Sequence, residues 1–315
     1  MKNIKELTLS AVIACYKDQE AIPIMHERLT KVFKKIGCKY EIIFVNDGSP
    51  DNSEAVLEEI CSKDINTIAI FHSRNFNSQN AFTSGMKQAT GDAVVLLDGD
   101  LQDPPELIEE FSKKWVEGYD VVYGSRINRQ ASSIMNFAYK FFYRLFNKVS
   151  YLEIPLDAGD FSLMDRRVVD EINKTTETDR FIRGLRAWVG FKQIGVPYVR
   201  PERKFGISTN SFFMNMKWAK KGIFSFSYLP LEFMSIFSYV IVLISALALL
   251  IYLISYFIIP EPPKGITTLI VLVLFMGGVQ LLSISILSEY IGKILEETKK
   301  RPNYIIKKIL NKKNK

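Results

Sequence analysis

The stretch of sequence that decides the fold runs from Val94 to Glu106 and reads VVLLDGDLQDPPE. Its four leading apolar residues, without a polar break, predict a buried strand. Asp98 and Asp100 follow at the strand end, and because side chains alternate along a strand, both carboxylates can point the same way. Like charges this close raise each other's pKa, and a divalent cation relieves that conflict. The stretch therefore predicts either a Mg²⁺ or Mn²⁺ site that binds a diphosphate, or a solvated acidic turn.

Strands and helices alternate on both sides of this stretch. We expect strands at residues 7–16, 40–45, 67–71, 92–97 and 119–123, and helices at residues 18–36, 53–61, 78–89 and 105–118. This alternation predicts an α/β fold with a parallel sheet that helices cover on both faces. In such a sheet, ligands bind at the carboxyl ends of the strands.

Polar residues follow each of the five expected strands. They are Tyr16, Lys17 and Asp18, then Asn46 and Asp47, then Arg74 and Asn75, then Asp98 and Asp100, and finally Ser125 and Arg126. We therefore expect the functional site at this edge of the sheet. The sequence has no Gly-x-Gly-x-x-Gly after the first strand and no P-loop motif, which disfavours a dinucleotide cofactor and a P-loop ATPase.

Basic residues are concentrated in the segment 299–315. The 315-residue chain has a net charge of +7, but this segment holds eight Lys or Arg and no acid, so the remainder nets −1. A local basic tail favours contact with anionic lipid head groups over a nucleic-acid interface. Cys15, Cys38 and Cys61 are odd in number and lack metal-ligand spacing, which favours buried thiols in a reducing compartment.

Two apolar stretches, 236–259 and 266–288, predict a transmembrane hairpin within residues 231–298. They contain 24 and 23 residues without a charge, and at about 1.5 Å per residue each can cross a hydrocarbon core of roughly 30 Å. The turn at 260–264 is short and neutral, whereas lysines lie outside the hairpin on both sides. The positive-inside rule therefore places residues 1–230, the basic tail 299–315 and both termini in the cytoplasm. A hairpin buried in a soluble core is the alternative.

Two further segments, 132–149 and 210–226, predict amphipathic helices in the membrane interface. In the first, aromatic residues such as Phe137 and Phe141 recur at helical spacing opposite Lys140 and other basic residues. Aromatic and basic residues on opposite faces favour an anionic lipid surface. A helix facing the core of the soluble domain is the alternative for the first segment.

Three motifs resemble those of the family-2 glycosyltransferases, and among them the polyprenyl-phosphate glycosyltransferases akin to dolichyl-phosphate mannose synthase. Residues 14–18 (ACYKD) are similar to the family's Pro-x-Tyr-Asn-Glu motif, and residues 45–49 (VNDGS) are similar to its Val-Asp-Asp-Gly-Ser motif. Residues 98–106 (DGDLQDPPE) differ from the family's third motif only in Gly99, where the family has Ala. The resemblance implies a nucleotide-sugar-binding, Rossmann-like domain of GT-A type. It assigns the nucleotide sugar to Tyr16, Asp18, Asp47, Asp98, Gly99 and Gln102, and a Mg²⁺ or Mn²⁺ ion to Asp98 and Asp100. Asp18 for Glu, Lys17 for Asn and Asn46 for Asp depart from the family pattern and alter the expected nucleoside contacts.

The resemblance also implies where the acceptor binds. Residues 157–164 (DAGDFSLM) match a Gly-Asp-Phe motif beside the acceptor, so Asp157 and Asp160 join Asp100 as candidate catalytic residues. Residues 200–209 are similar to an Arg-x-x-Gly-x-Ser-Lys phosphate loop, with Thr209 in place of Lys. The acceptor phosphate is assigned to Arg126, Arg129, Arg203 and Ser208, since a planar guanidinium donates two parallel hydrogen bonds to phosphate. Without the resemblance, a strand-capping turn and a solvated basic loop are the alternatives.

A member of this family is expected to transfer a hexose, foremost glucose from UDP-glucose, to a polyprenyl phosphate, with inversion at the anomeric carbon. The product would be a lipid-linked sugar donor for cell-envelope glycosylation, and relatives of this type imply a homo-oligomer. The segment 180–188 lacks the Gln-x-x-Arg-Trp motif of processive polysaccharide synthases. Two alternatives remain: a glycosyltransferase with a glycolipid or polysaccharide acceptor, and a catalytically inactive membrane scaffold.

Overall fold

The computed structural model of the protein describes residues 3–127, 158–201, 229–258 and 265–312. The chain divides into two compact units. The first comprises Met1–Arg144, Leu152–Ser211 and Arg301–Lys315, and the second comprises Leu145–Tyr151 and Phe212–Lys300. The expected interfacial helices at 132–149 and 210–226 and the hairpin turn at 260–264 lie outside the described residues.

The first unit is an α/β structure, as expected. Its strands, in the described ranges, are β1 (Thr8–Cys15), β2 (Lys39–Asn46), β3 (Thr67–His72), β4 (Ala93–Asp98), β5 (Val121–Arg126), β6 (Ala158–Asp165), β7 (Gln193–Tyr198) and β8 (Ile306–Leu310). Its helices are α1 (Ala21–Ile36), α2 (Ser53–Lys63), α3 (Ser78–Gln88), α4 (Ile108–Val116), α5 (Arg166–Lys174) and α6 (Ile182–Trp188). The five expected strands are β1 to β5, and the four expected helices are α1 to α4.

One mixed sheet contains these strands in the order β7-β5-β6-β4-β1-β2-β3-β8. The central strands β3, β2, β1 and β4 are parallel. The expectation of a parallel sheet is wrong at its flanks, because β6 runs antiparallel to β4 and β5, and β8 runs antiparallel to β3. Antiparallel pairing needs no helical crossover, so an alternation of strands and helices in the sequence does not reveal it.

Helices cover both faces of the sheet. On one face, α1 buries Ile22, Met25, Leu29 and Phe33, which recur every three or four residues, together with side chains of α2 and α4. On the other face, α3, α5 and α6 pack against the alternate side chains of the same strands. Burial of each large apolar side chain contributes about 1.5–3 kcal/mol. This two-sided core holds the carboxyl ends of the parallel strands in fixed register.

The strand β8 belongs to the basic segment that the sequence predicts to be a tail. It pairs with β3, from Ala69↔Leu310 to His72↔Ile306. Lys308 Nζ lies 2.7 Å from Glu54 Oε1 of α2. The Asn311 side chain donates to the carbonyls of Cys61, at 2.7 Å, and Thr67, at 2.9 Å. Part of the basic segment is therefore the edge strand of the sheet.

The second unit contains α7 (Leu229–Ile258) and α8 (Ile266–Thr298), helices of 30 and 33 residues. Within the described residues, Pro230–Ala248 and Leu269–Thr298 are long and apolar enough to cross a membrane, by length and composition. Large apolar side chains point outward along both helices, among them Leu243 at 62% and Leu274 at 71% exposure. Such exposure suits helices surrounded by lipid rather than by water.

Candidate active site

The carboxyl ends of β1, β2 and β4 bring three of the predicted motifs to one edge of the sheet. Ala14 is in register with Asp98, and Cys15 is in register with Asn46. The backbone N–H of Asp47 donates to the Cys15 carbonyl at 3.0 Å, and the N–H of Gly99 donates to the Ala14 carbonyl at 2.9 Å. Parallel pairing thus joins residues that lie far apart in the sequence.

The turn after β1 packs directly against Gly99. The N–H of Tyr16 donates to Asp18 Oδ2 at 2.9 Å, and the Tyr16 side chain remains exposed. A Cβ on Gly99 would lie 2.8 Å from Asp18 Oδ2 and 2.9 Å from the Ala14 carbonyl oxygen. Because real Cβ atoms essentially never approach so closely, a larger residue at position 99 would require the turn after β1 to shift.

Asp47 is held through one of its two carboxylate oxygens by neighbours in the described part of the chain. Its Oδ1 accepts hydrogen bonds from His72 Nδ1, at 2.7 Å, and from the N–H of Phe76, at 2.9 Å. The residue is 2% exposed. The following Gly48 has φ +66°, and a Cβ there would lie 2.4 Å from the Arg74 carbonyl carbon, so the loop after β3 packs tightly on this turn.

Three carboxylates gather after β4, around Arg200. Asp100 is 7% and Asp103 1% exposed. Arg200 Nη2 lies 3.6 Å from Asp98 Oδ2 and 3.8 Å from Asp100 Oδ2, and its Nε lies 4.0 Å from Asp103 Oδ1. The Tyr198 hydroxyl donates to Asp103 at 2.9 Å. Arg200 thus partly neutralises three acids, and the charge of Arg126 also acts on Asp103 and Asp98.

The acidic cluster calls for more positive charge than Arg200 supplies. Burial and the charges of Asp103, Asp100 and Asp160 raise the pKa of Asp98 to about 8, while Arg200 opposes the shift. Solvent reaches 35% of the Asp98 side chain, so we attribute the shift mainly to the neighbouring carboxylates. A carboxyl group that resists ionisation beside other acids favours a bound cation.

The donor set suits a hard divalent cation that shares its ligands with a substrate. Asp98 and Asp100 offer carboxylate oxygens, the ligand type that Mg²⁺ and Mn²⁺ prefer. Among the described residues, no group of three or more His, Cys, Asp or Glu side chains forms a complete metal site. An ion held by this pair would therefore take further ligands from a diphosphate or from water.

Asp160, near the start of β6, lies beside this cluster and is oriented by Gln79. Gln79 Nε2 donates to Asp160 Oδ2 at 2.9 Å, while Gln79 Oε1 accepts from the N–H of Ile182 at 2.8 Å. Arg183 Nε lies 3.4 Å from Asp160 Oδ1, which is buried and accepts no hydrogen bond from the residues that the structure describes. Gln79 thus fixes one oxygen of Asp160, and the charge of Arg183 faces the other.

Arg126 and Gln102 lie around the same cluster. Arg126 Nε donates to the Tyr198 hydroxyl at 3.4 Å. A Cβ on Gly159 would lie 2.8 Å from Arg126 Nη2, so the guanidinium packs against the first residues of β6. Gln102 Nε2 donates to the Pro201 carbonyl at 3.1 Å. Asp157, Arg129, Arg203 and Ser208, the remaining predicted site residues, lie outside the described residues.

Sequence reasoning assigned no role to His72, Gln79, Tyr198 or Arg200. His72 and Gln79 are common polar residues near strand or helix ends and carry no motif of their own. Arg200 opens the predicted phosphate loop, but its contacts with Asp98, Asp100 and Asp103 depend on long-range packing. The one available signal is that His72 and Tyr198 are the last residues of β3 and β7, and that Gln79 and Arg200 follow these strands closely in the sequence. The two strands end at the same edge of the sheet.

Comparison with known proteins identifies the family. The family described as Glycosyl transferase family 2 matches residues 10–173, which carry β1 to β6. The chain belongs to glycosyl transferase family 2. It is 40% identical to an uncharacterized glycosyltransferase, YkcC, of Bacillus subtilis (strain 168), over 96% of this chain and 94% of the relative. It is 37% identical to the SfII prophage-derived bactoprenol glucosyl transferase of Shigella flexneri, over 96% of this chain and 98% of the relative.

A solved structure of glucosyl-3-phosphoglycerate synthase from Mycobacterium tuberculosis, in complex with Mn²⁺, UDP-glucose and phosphoglyceric acid, is also similar to this glycosyltransferase. The TM-score is 0.47 and the identity 16%, over 69% of this chain and 78% of that one. A likeness this distant says nothing about the ligands of the present chain. Membership of the family rests on the sequence matches, and the GT-A type α/β fold is seen directly in the mixed sheet.

Proposed function

We propose that this glycosyltransferase transfers a hexose, foremost glucose from UDP-glucose, to the phosphate of a polyprenyl lipid at the cytoplasmic face of the membrane. The observation that carries the proposal is the acidic cluster of Asp98, Asp100 and Asp103, with Asp160 beside it, in a chain with two helices able to cross a membrane by length and composition. Relatives named bactoprenol glucosyl transferase match nearly the whole chain, including these helices. Their names support a lipid acceptor.

On the donor side, Asp98 and Asp100 would hold Mg²⁺ or Mn²⁺. That ion supplies positive charge for the leaving nucleoside diphosphate. Tyr16, Asp18 and Asp47 surround the ends of β1 and β2, where they would bind the base and ribose. Gly99 keeps the backbone close to Asp18, and Gln102 continues the loop toward the sugar.

On the acceptor side, Arg126 would bind the lipid phosphate, with Arg129, Arg203 and Ser208 assigned from the sequence. A phosphate monoester is already anionic near neutral pH, so the acceptor needs positioning more than deprotonation. Its oxygen forms a bond to the anomeric carbon as the bond to the diphosphate breaks. In-line attack inverts that carbon. Asp160, with Asp157 from the sequence, would orient the acceptor and the sugar.

We further propose the cell membrane as the location, with the catalytic unit and both termini in the cytoplasm. The lysines that flank the predicted spans in the sequence support this orientation. Homo-oligomer formation and use of the product in cell-envelope glycosylation remain proposals from the resemblance alone.

The test incubates the purified full chain in detergent with undecaprenyl phosphate and a panel of radiolabelled nucleotide sugars, with and without EDTA. Label in the lipid extract with UDP-glucose, lost on addition of EDTA, is the expected result. Asp100→Asn should lower the rate by about 10²-fold or more, because it removes a charged ligand from the leaving-group side. Asp170→Asn, which removes a carboxylate that is 53% exposed on α5, is the matched control.

Three results would contradict the proposal. Absence of label in the organic phase for every donor would exclude polyprenyl phosphate transfer. Equal activity with diacylglycerol or with no phosphorylated lipid would identify a different acceptor class. Full turnover by Asp100→Asn would remove the metal assignment.

A further inference from the structure

His72 is buried beside the proposed nucleotide site, at the end of β3. The residue is 3% exposed and hydrogen-bonds through both ring nitrogens. Nδ1 lies 2.7 Å from Asp47 Oδ1, and Nε2 lies 2.8 Å from Ser84 Oγ of α3. Asp47, His72 and Ser84 therefore form a chain of hydrogen bonds from the site edge into the core.

The hydrogen bonds determine which way His72 donates. An ionised carboxylate only accepts, so the proton between His72 and Asp47 is on Nδ1. Nε2 can then accept the hydroxyl proton of Ser84, which alternatively donates to the Ala81 carbonyl at 3.0 Å. In either arrangement Nδ1–H points at Asp47.

This donation fixes the orientation of the Asp47 carboxylate. Oδ1 receives both the His72 Nδ1–H and the N–H of Phe76. Within the described part of the chain, no protein group donates to Oδ2. The second oxygen is therefore left to accept a hydrogen bond from a ligand, while rotation of the side chain would break two bonds at once.

Tyr304 holds the imidazole ring of His72 in place. The two rings stack with centroids 5.3 Å apart and planes 10° apart, and Phe76 meets the ring edge-on at 5.7 Å. Such ring contacts contribute beyond their buried area because they fix ring orientation. Burial also raises the pKa of the Tyr304 hydroxyl. His72 thus has few rotamers open to it while Tyr304 is in place.

Tyr304 is itself anchored by β8. The N–H of Ser73 donates to the Ile305 carbonyl at 3.0 Å, and Ile306 is in register with His72. Asn311 closes the other end of the strand through its hydrogen bonds to the carbonyls of Cys61 in α2 and Thr67, the first residue of β3. The segment that follows the two hydrophobic helices in the sequence is therefore tied to the ring that orients Asp47.

We propose that His72, held by Tyr304, is a positioning residue that presents Asp47 to the base of the nucleoside diphosphate sugar. The inference rests on the proposed function, because it takes the strand-end site as the donor site. The inference adds a claim that the proposed function does not contain. The affinity for the sugar donor depends on His72, which does not touch the donor, and on Tyr304, which follows the hydrophobic helices in the sequence. A histidine that serves only core packing would affect stability and leave affinity unchanged.

The test uses the full chain in detergent and measures the Kd of UDP by calorimetry, and the KM and kcat for the sugar donor. His72→Leu keeps bulk but removes the donor group, and should raise the Kd and KM about tenfold or more, because a hydrogen bond to a charged group is lost. The kcat at saturating donor should change less than the KM. His72→Asn, which retains an N–H close to the Nδ1 position, should recover much of the affinity.

The tyrosine is tested in parallel. Tyr304→Ala should raise the Kd of UDP about threefold or more, and Tyr304→Phe, which keeps the stacked ring, should bind more tightly than Tyr304→Ala. Tyr40→Ala is the matched control, because Tyr40 stacks on Phe33 with centroids 5.0 Å apart and planes 12° apart, away from Asp47. It should lower stability without a change in the Kd.

The outcomes separate the two proposals. A wild-type Kd for UDP in folded His72→Leu and Tyr304→Ala, with transfer intact, would overturn the positioning role and leave the proposed function standing. If His72→Leu does not fold, equal Kd values for UDP in folded Tyr304→Ala and in wild type would overturn it instead. A wild-type chain that binds no nucleotide would overturn both.

Discussion

At the scale of single residues, the site depends on side chains that touch no expected substrate atom. Gln79 is the clearest case, because one amide joins three elements: its own helix α3, Asp160 of β6 and the first N–H of α6. The oxygen and nitrogen of the amide have different partners, so the orientation of the group is determined. Asp160 Oδ2 is thereby held by Gln79, and its Oδ1 faces Arg183.

Replacement of Gln79 by Ala should lower kcat at saturating substrates about tenfold and destabilise the fold by about 1–3 kcal/mol, because two buried partners lose their hydrogen bonds. Steady-state kinetics and thermal unfolding check the two effects. Gln193→Ala is the control, since among the described residues Gln193 Nε2 donates to the Arg186 carbonyl, at 2.9 Å, and to no carboxylate. Equal loss of kcat in both variants would show that Gln79 acts through stability alone.

Arg200 should compete with a divalent cation for the acidic cluster. The Arg200→Gln variant removes a positive charge within 4.0 Å of three carboxylates. It should bind Mn²⁺ alone at least about threefold more tightly, since cations repel at short range in a partly buried site. Titration followed by electron paramagnetic resonance measures free Mn²⁺ directly. The control is Arg167→Gln, which removes the partner of Asp120 and should leave the affinity for Mn²⁺ unchanged. Weaker Mn²⁺ binding by Arg200→Gln than by the wild type would contradict the prediction.

At the scale of elements, the site is built from tight turns between strands and helices. Gly37 and Gly48 both have positive φ, +75° and +66°. Gly37 ends α1 with its N–H donated to the Phe33 carbonyl at 2.9 Å, and a Cβ there would meet no atom within 4 Å. At Gly48 the same Cβ would collide with backbone atoms of Arg74 and Asn75. Both turns need a positive φ, but only the turn at Gly48 is packed against another backbone segment of the described chain.

Gly37→Ala should therefore cost about 1–2 kcal/mol, the strain of the left-handed conformation. Gly48→Ala should cost clearly more, by about 1–3 kcal/mol, because the backbone after β3 must also move. Thermal unfolding of the full chain in detergent compares the two. Similar midpoints for both variants would show that the loop after β3 yields easily.

The sequence predicts β1 to β5 and α1 to α4 well, because each carries an apolar period and a turn signal. It does not reveal β8, since Lys307 and Lys308 interrupt a run of only five residues and the charges suggest a solvated tail. The Asp98 and Asp100 pair is visible as a motif. His72 and Arg200 are not, because they reach the site only through strand pairing and loop packing that local patterns do not encode.

At the scale of the whole molecule, the described chain joins an α/β unit and a unit of two long apolar helices. The outward-facing leucines of α7 and α8 would expose a large apolar surface to water, which the hydrophobic effect opposes. A bilayer removes that penalty. The chain should therefore resist extraction by alkaline carbonate.

Reporter fusions test the proposed orientation. Alkaline phosphatase inserted within residues 260–264 should be active, because it folds only outside the cytoplasm, and green fluorescent protein fused after residue 315 should fluoresce. The positive-inside rule predicts this pattern from the lysines that flank the hairpin. The same two reporters exchanged between the positions provide the control. Phosphatase activity at the C-terminal position would reverse the topology.

The pairing of β8 with β3 also bears on how the protein is made. The ribosome produces β3 long before β8, and both hydrophobic helices are synthesised in between. During that interval the N–H and C=O groups along one side of β3 have no strand to pair with, and an open edge of this kind invites association with other nascent chains. Synthesis of both hydrophobic helices thus precedes closure of the sheet, and a ribosome that stalls before residue 306 leaves β3 with an open, aggregation-prone edge.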